Sequence, residues 1–264
     1  MLNSPKRLIV AGVILPLLFL YIYFLPPSPY FLVFLICVSI IAMYEFYIMY
    51  RLPLRLYLPG ISVGAILFYL FCRYPYYFQD AIFFTLLLIL VLRLIIVSTP
   101  SGSIKEIGVL YIGFLYISWF LSFQWLLMNE AGKGHIFFLY GSVWLGDSMA
   151  YYAGTYLGKN KLYPSISPNK TFEGAVGSIL GGALGGVIIK LIFNIHDFTI
   201  LKALLIGAIL GAVAIIGDLI ESMFKRDAGV KDSSNLITGH GGILDKIDSL
   251  LIAGPILYFI VRSM

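Results

Sequence analysis

Long apolar stretches alternate with short polar ones along the whole chain. A membrane-spanning helix needs about 20 consecutive, mainly apolar residues, and nine stretches come close to that length. They cover approximately residues 8–25, 30–50, 56–72, 79–98, 105–128, 136–157, 172–194, 200–224 and 243–262. Proline clusters and turn-forming residues separate several of them, and such residues end helices. The pattern therefore predicts an all-α, polytopic integral membrane protein with about nine transmembrane helices.

Composition supports the same class of protein. Of the 264 residues, 60% are hydrophobic and 12% are charged, and the mean hydropathy is +0.95. Soluble domains carry about 25% charged residues, so a water-soluble surface is excluded. The first apolar stretch follows Lys6 and Arg7 but lacks a small-residue cleavage site, so we interpret it as an uncleaved span rather than a signal peptide.

The basic residues predict the orientation in the membrane. Thirteen of the 18 Lys and Arg residues lie at the N-terminus or after spans two, four, six and eight, and five lie on the other side. Because basic residues stay in cytoplasmic loops, we expect a multi-pass protein of the cell (inner) membrane with a cytoplasmic N-terminus and cytoplasmic polar loops. The net charge of +5 reflects this topology, and without a basic stripe interleaved with aromatics no nucleic acid partner is expected.

The two halves of the chain differ in their acidic residues. Nine of the 13 lie at or after Asp147. We therefore expect residues 1–130 to form an N-terminal scaffold of transmembrane helices and residues 131–264 to form the C-terminal catalytic region. In the seventh span, glycines recur at helical spacing from Gly174 to Gly186, which favours close packing against neighbouring helices.

Asp147 is the first candidate for chemistry. An ionised group inside a bilayer is costly, so an acid there is by default a functional hypothesis. Asp147, Tyr151 and Gly154 fall at positions i, i+4 and i+7, on one helix face. A structural carboxylate that bonds to a neighbouring helix explains Asp147 equally well.

The polar stretch between spans six and seven is the second candidate. It contains Ser167, Asn169, Lys170, Thr171 and Glu173. Thr171 or Asn169 can cap the next helix, and Glu173 suits its positive end, which describes an ordinary helix start. The alternative is an anion site, because a helix N-terminus offers free N–H groups and Lys170 adds a charged donor. The phosphate-binding pattern G-x-x-x-x-G-K-[ST] is absent.

The strongest candidate lies where span eight ends and span nine begins. Four side chains share one face of span eight, and two share one face of span nine: Asp218, Glu221, Ser222 and Lys225 on the former, and Asp245 and Asp248 on the latter. The connection is short, so we expect the carboxylates to converge. A divalent cation would relieve their repulsion, and oxygen ligands favour Mg²⁺. Internal salt bridges are the alternative explanation.

The connection between these spans is itself basic. Arg226 and Lys231 follow Lys225, and such charges combined with carboxylates and Mg²⁺ are typical of sites that handle phosphates. His240 stands between glycines. It suits a ligand or a base, and it equally suits a backbone hydrogen bond in a tight turn.

These residues together resemble the signature of the phosphatidate cytidylyltransferase (CDP-diacylglycerol synthase) family. The matching residues are Ser222, Lys225-Arg226, Lys231-Asp232, His240-Gly241-Gly242, Asp245 and Asp248, and the family stretch Ser-Pro-Asn-Lys-Thr-x-Glu-Gly matches residues 167–174. The motifs cover roughly residues 144–249. The sequence departs from the family at Lys246, usually Arg, and at Thr238, usually Pro or Gly. These departures affect loop geometry and remove no expected metal ligand.

The resemblance implies transfer of the cytidylyl group of CTP to phosphatidate, giving CDP-diacylglycerol and pyrophosphate. It also implies Mg²⁺, allows a second, monovalent cation such as K⁺, and implies a homodimer. We expect Asp218, Asp245 and Asp248 to bind the metal, and Lys225 and Arg226 to complete the catalytic set. The expected substrate-binding residues are Asp147, Ser167, Asn169, Lys170, Thr171, Glu173, Ser222, Lys231 and His240.

Two other functions remain open from the sequence. A CTP-dependent kinase of a membrane lipid alcohol would share the nucleotide and the membrane but would transfer the γ-phosphoryl group. An ion-coupled transporter would also contain intramembrane carboxylates. Transporters of that kind have internal repeats and binding sites near the bilayer midplane, whereas this sequence has no repeat and its acids cluster at one membrane face.

Overall fold

The computed structural model of the chain describes residues 16–234, 236 and 241–264. The first predicted span lies partly outside this range, and its described part is a helix over residues 16–24, here α1. The other helices are α2 Leu32–Met49, α3 Leu54–Arg73, α4 Phe78–Ile96, α5 Ser103–Gly113, α6 Phe120–Ala131, α7 Lys133–Tyr156, α8 Phe172–Phe193, α9 Ile200–Asp227 and α10 Leu244–Arg262.

Helices occupy the described part of every predicted span, which confirms an all-α membrane protein. Within the described residues, five helical stretches are long and apolar enough to cross a membrane: Pro27–Met49, Leu54–Arg73, Ser103–Ala131, Phe172–Phe193 and Ile200–Asp227. The count of nine crossings stays a prediction. Helix α10, for example, begins with three charged residues within its first five positions.

The described residues form two compact units. The first consists of residues up to Trp125 together with the segment 232–244, and the second consists of Leu126–Lys231 and Asp245–Met264. The expected division into a scaffold before residue 130 and a catalytic region after it stays a prediction.

A buried polar network fixes one loop of the first unit. Arg93, near the end of α4, is buried and forms an ion pair with Glu106 of α5. Its guanidinium also donates to the carbonyl oxygens of Val97 and Thr99, both at 2.8 Å. The loop between α4 and α5 is thus held from inside, and the buried charge is compensated on all sides.

Glycines bring the three central helices of the second unit into backbone contact. A Cβ atom added at Gly182 of α8 would lie 2.3 Å from the carbonyl oxygen of Gly207 in α9, and one at Gly177 would lie 2.8 Å from that of Met149 in α7. No side chain fits at such distances. The close packing predicted from the glycine spacing is confirmed.

A two-stranded hairpin interrupts the helical pattern between α7 and α8. Strand β1, Lys161–Tyr163, pairs antiparallel with β2, Ser167–Thr171, and Lys161 faces Thr171. The sequence pattern predicts only a polar loop and a helix start for this stretch. Strands of three and five residues are too short to show the alternation that predicts a strand, and Pro168 suits an edge strand.

Candidate active site

A cavity of about 690 Å³ lies in the second unit. Helices α7, α8, α9 and α10 and the β1–β2 hairpin all contribute to its wall. The polar and charged lining residues are Asp147, Tyr151, Thr155, Lys161, Asn169, Lys170, Thr171, Asp218, Lys225, Asp245, Asp248 and Ser249. Eight of these twelve were predicted as site residues, from stretches more than 100 residues apart in the sequence.

Close packing of α9 on α10 explains why the acids converge. A Cβ atom added at Gly217 would lie 2.8 Å from the carbonyl oxygen of Asp248, so the two backbones touch at this point. The Ser249 hydroxyl donates to the carbonyl oxygen of Ala214 at 3.1 Å. Asp218, the residue after Gly217, is therefore held beside Asp248.

The acidic group that the structure brings together consists of Asp218, Glu221 and Asp248. One carboxylate oxygen from each residue lies within 4.8 Å of the other two. Glu221 is completely buried, and no described residue donates a hydrogen bond to its Oε1 atom. Three hard oxygen donors around one point, with one oxygen unsatisfied, fit the coordination preferences of Mg²⁺ or a similar divalent cation.

This group differs from the expected metal set in one residue. Asp245 instead accepts a hydrogen bond from the Lys225 ammonium at 2.7 Å, and the same ammonium forms an ion pair with Glu221. Helical spacing explains the difference, since Glu221 is one turn from both Asp218 and Lys225. A metal-binding role of Asp245 stays a prediction, whereas Glu221 was recognised on this helix face but given no role.

Lys170 provides the second cation of the cavity. It projects from β2, and its ammonium lies 2.8 Å from an Asp218 carboxylate oxygen. The next residue, Thr171, caps α8 by accepting a hydrogen bond from the Gly174 N–H group at 3.0 Å. The helix start is thus capped as expected, and Lys170 and Asn169 line the cavity, while an anion site here stays a prediction.

Glu173 and Arg226 are predicted site residues that do not line the cavity and contact other groups. Glu173 is half-buried and accepts hydrogen bonds from Asn160. Arg226 donates to the carbonyl oxygens of Ile166, at 3.1 Å, and Val230, at 2.9 Å. These contacts connect α9 to the hairpin turn and to the segment that follows α9, so Arg226 supports the rim of the site in this structure.

The other four predicted site residues are Ser222, Ser167, Lys231 and His240. Ser222 donates a hydrogen bond to Asp218 at 3.2 Å, and Ser167 is paired with Tyr163 in the hairpin. Lys231 is exposed and is not a lining residue. His240 lies outside the described residues, as does Thr238.

Lys161 is a lining residue that the sequence analysis missed. The sequence predicts only a topology charge at Lys161, because nothing in its neighbourhood marks it as part of a site. The hairpin register places it opposite Thr171, and this pairing brings it to the cavity. Only the strand pairing, which the sequence does not reveal, could have identified it.

Comparison with known proteins gives consistent matches over the whole chain. The profile of the cytidylyltransferase family matches residues 5–264. A phosphatidate cytidylyltransferase of Bacillus subtilis is 33% identical over 269 residues, which cover 97% of each chain. Proteins of the same name from Thermotoga maritima, 32% identical over 66% of each chain, and from Staphylococcus epidermidis, 43% identical over 49% of each chain, are also similar.

Proposed function

The chain belongs to the cytidylyltransferase family, and we propose that it transfers the cytidylyl group of CTP to phosphatidate in the cavity of its second unit. The products are CDP-diacylglycerol and pyrophosphate. One observation carries the placement of the reaction: lysines and a cluster of carboxylates, from helices of a membrane protein, converge on a single cavity.

The reaction needs positive groups that neutralise the phosphate charges of both substrates, and it needs no protein nucleophile. An oxygen of the phosphatidate phosphate attacks the α-phosphorus of CTP, a new phosphorus–oxygen bond forms, and the bond to the β-phosphate oxygen breaks. Pyrophosphate leaves with the electron pair of that bond. Because the nucleophile is already anionic, the obstacle is the approach of two polyanions, and fixed positive groups lower that barrier.

The lysines of the cavity supply those positive groups. Lys170 and Lys225 bind phosphate oxygens, and each already has a carboxylate partner that holds its ammonium in the cavity. Lys161 lies at the wall near Lys170 and adds a third cation. Asp147 and Asn169 face the same space and orient the substrates.

The acidic group suits a divalent cation. Asp218, Glu221 and Asp248 are the residues that would hold it, since their oxygens already lie within 4.8 Å of one another. Bound Mg²⁺ would screen the phosphate charges and stabilise the leaving pyrophosphate. A second, monovalent cation and a homodimer remain predictions from the family resemblance.

The site belongs at the membrane surface on this proposal. The acyl chains of phosphatidate stay in the bilayer while its phosphate meets CTP from the aqueous side. The excess of basic residues on one side supports a cytoplasmic location of that surface. The N-terminus is then cytoplasmic as well.

Radiolabelled CTP tests the reaction directly. Purified protein in mixed micelles with phosphatidate and Mg²⁺ should transfer label from α-³²P-CTP into the lipid fraction and release pyrophosphate, whereas γ-³²P-CTP should leave the lipid unlabelled. Chelation of divalent cations should stop the transfer, and added Mg²⁺ should restore it. Transfer of the γ label into the lipid would instead indicate a lipid kinase.

A further inference from the structure

Glu45 is a buried acid far in sequence from the candidate active site. It lies on α2, inside the apolar stretch Pro27–Met49, and only 1% of its surface is exposed. Among the described residues no Lys or Arg side chain forms an ion pair with it. A buried carboxylate without a counter-charge is costly unless hydrogen bonds compensate it.

Four hydrogen bonds from one segment of the chain compensate Glu45. Its Oε1 atom accepts from the Ser234 hydroxyl at 2.7 Å and from the Ile243 N–H group at 3.0 Å. Its Oε2 atom accepts from the Leu244 N–H group at 2.8 Å and from the Ser233 hydroxyl at 3.3 Å. All four donors come from the described residues 233–234 and 243–244, which belong to the same unit as α2.

The backbone of this segment approaches the carboxylate closely. A Cβ atom added at Gly242 would lie 2.4 Å from the Glu45 Oε2 atom and 2.1 Å from the Ser233 hydroxyl oxygen. A side chain at that position would push the Glu45 carboxylate or the Ser233 hydroxyl out of the contact. Gly242 is the last residue of the His-Gly-Gly motif noted in the sequence. The close approach to Glu45 explains why a residue without a side chain suits this position of the motif.

Two of these donors, the N–H groups of Ile243 and Leu244, lie where α10 begins. Leu244 is the first residue of α10, and the unpaired N–H groups of a helix start favour a negative charge. The next residue of the chain is Asp245, and Asp248 follows one turn later. Segment 232–244 is also the connection from α9, which carries Asp218 and Glu221.

We propose that Glu45 is a positioning residue for the active site. Its carboxylate holds both ends of the connection between α9 and α10 and fixes where α10 begins. The acids on α10 are thereby presented to the acids on α9 at a constant spacing. Glu45 contacts neither substrate nor metal, and this inference rests on the proposed function only for the role of those acids.

Hydrogen exchange tests the contact without any need for activity. In detergent micelles, peptides covering residues 241–248 of the Glu45→Gln protein should exchange about tenfold faster than those of the wild type, because two amide N–H groups lose a charged acceptor. Glu106→Gln is the matched control, since Glu106 is a partly buried acid of the same unit that pairs with Arg93 instead. It should leave the exchange of residues 241–248 unchanged.

Metal binding and kinetics test the positioning role. In the Glu45→Gln protein, the affinity for Mn²⁺ measured by titration calorimetry and the kcat with phosphatidate should each fall about tenfold, while the KM for CTP should change less. Ser234→Ala removes the donor with the shortest hydrogen bond and should shift these quantities in the same direction by a smaller factor, and Glu45→Asp should recover part of the loss. Glu106→Gln should not alter Mn²⁺ affinity.

Either of two results would overturn the inference. One is unchanged exchange of residues 241–248 in both the Glu45→Gln and Ser234→Ala proteins. The other is faster exchange with wild-type Mn²⁺ affinity and kcat. A wild-type protein that binds Mn²⁺ but forms no lipid product would contradict the proposed function, whereas the exchange and calorimetry results would still decide the role of Glu45.

Discussion

Glu221 is the side chain on which the metal assignment depends most. It is completely buried beside Asp218 and Asp248, and its only charged partner among the described residues is Lys225. A carboxylate in that position without a cation would face two other acids at short range, which is unfavourable at low dielectric. The Lys225 ammonium offsets part of this repulsion, and the proposed metal ion would offset more of it.

The Glu221→Gln substitution should lower activity and metal affinity together. The amide keeps the shape of the side chain and removes its charge, so we expect a loss of about tenfold to a hundredfold in Mg²⁺-dependent turnover. The measurement is a Mg²⁺ titration of CDP-diacylglycerol formation. Asp227→Asn, an exposed acid at the end of the same helix, is the control and should behave as the wild type. Equal Mg²⁺ curves for both variants would exclude Glu221 as a ligand.

Lys225 has a second role as the counter-charge of two buried acids. The Lys225→Met substitution leaves Glu221 and Asp245 without their shared cation, and we expect a loss of about 3 kcal/mol in stability. The expected readout is a lower thermal unfolding midpoint in detergent, measured without substrate. Adding Asp245→Asn to Lys225→Met should restore part of the midpoint, and Lys159→Met, at an exposed position, should not change it.

At the scale of the elements, the glycine contacts of α8 decide how closely the walls of the cavity approach. Gly182→Ala places a methyl group 2.3 Å from a backbone oxygen of α9, so the helices must separate, and we expect a destabilisation of about 2 kcal/mol. Thermal unfolding in detergent measures it. Gly108→Ala is the matched control, because a Cβ there meets nothing within 4 Å and alanine favours a helix. A midpoint for Gly182→Ala at or above that of Gly108→Ala would refute the backbone contact.

The positions of the helices could be predicted from the sequence, whereas the contacts between their side chains could not. The helices could be predicted because the length and apolarity of a stretch are visible in one dimension, and Phe172–Phe193 agrees with the prediction to within one residue. The spacing of Asp218 and Glu221 predicted a shared face. Which acid of α10 lies opposite them depends on the rotation of two packed helices, which spacing does not specify. Glu45 carried no signal either, since its partners lie 188 or more residues away.

At the scale of the whole molecule, the orientation in the membrane is the prediction with the widest consequences. Helix α8 has 22 residues, which corresponds to about 33 Å and matches a hydrocarbon core of about 30 Å. The hairpin before α8 and the loop after it should therefore lie on opposite sides. The cavity is lined by the hairpin, so under the proposed function the hairpin side of the membrane is the side from which CTP would arrive.

Cysteine labelling measures that orientation. After Cys37 and Cys72 are replaced by alanine, a single cysteine at His196, which is exposed after α8, should react with a membrane-impermeant maleimide in intact cells. A single cysteine at Asn160, which is exposed beside the hairpin, should react only after the cells are opened. The reverse pattern would place the candidate active site outside the cell.

The wall of the cavity has an implication for inhibitor design. Gly174 contributes to that wall, and a Cβ atom there would lie 3.1 Å from the carbonyl oxygen of Ala150 and 3.2 Å from the Thr171 hydroxyl oxygen. Resistance that arises by point mutation usually changes a side chain at the contact. A compound seated against this surface of main-chain atoms would leave few such changes available, because most replacements at Gly174 would disturb the helix cap before they displaced the drug.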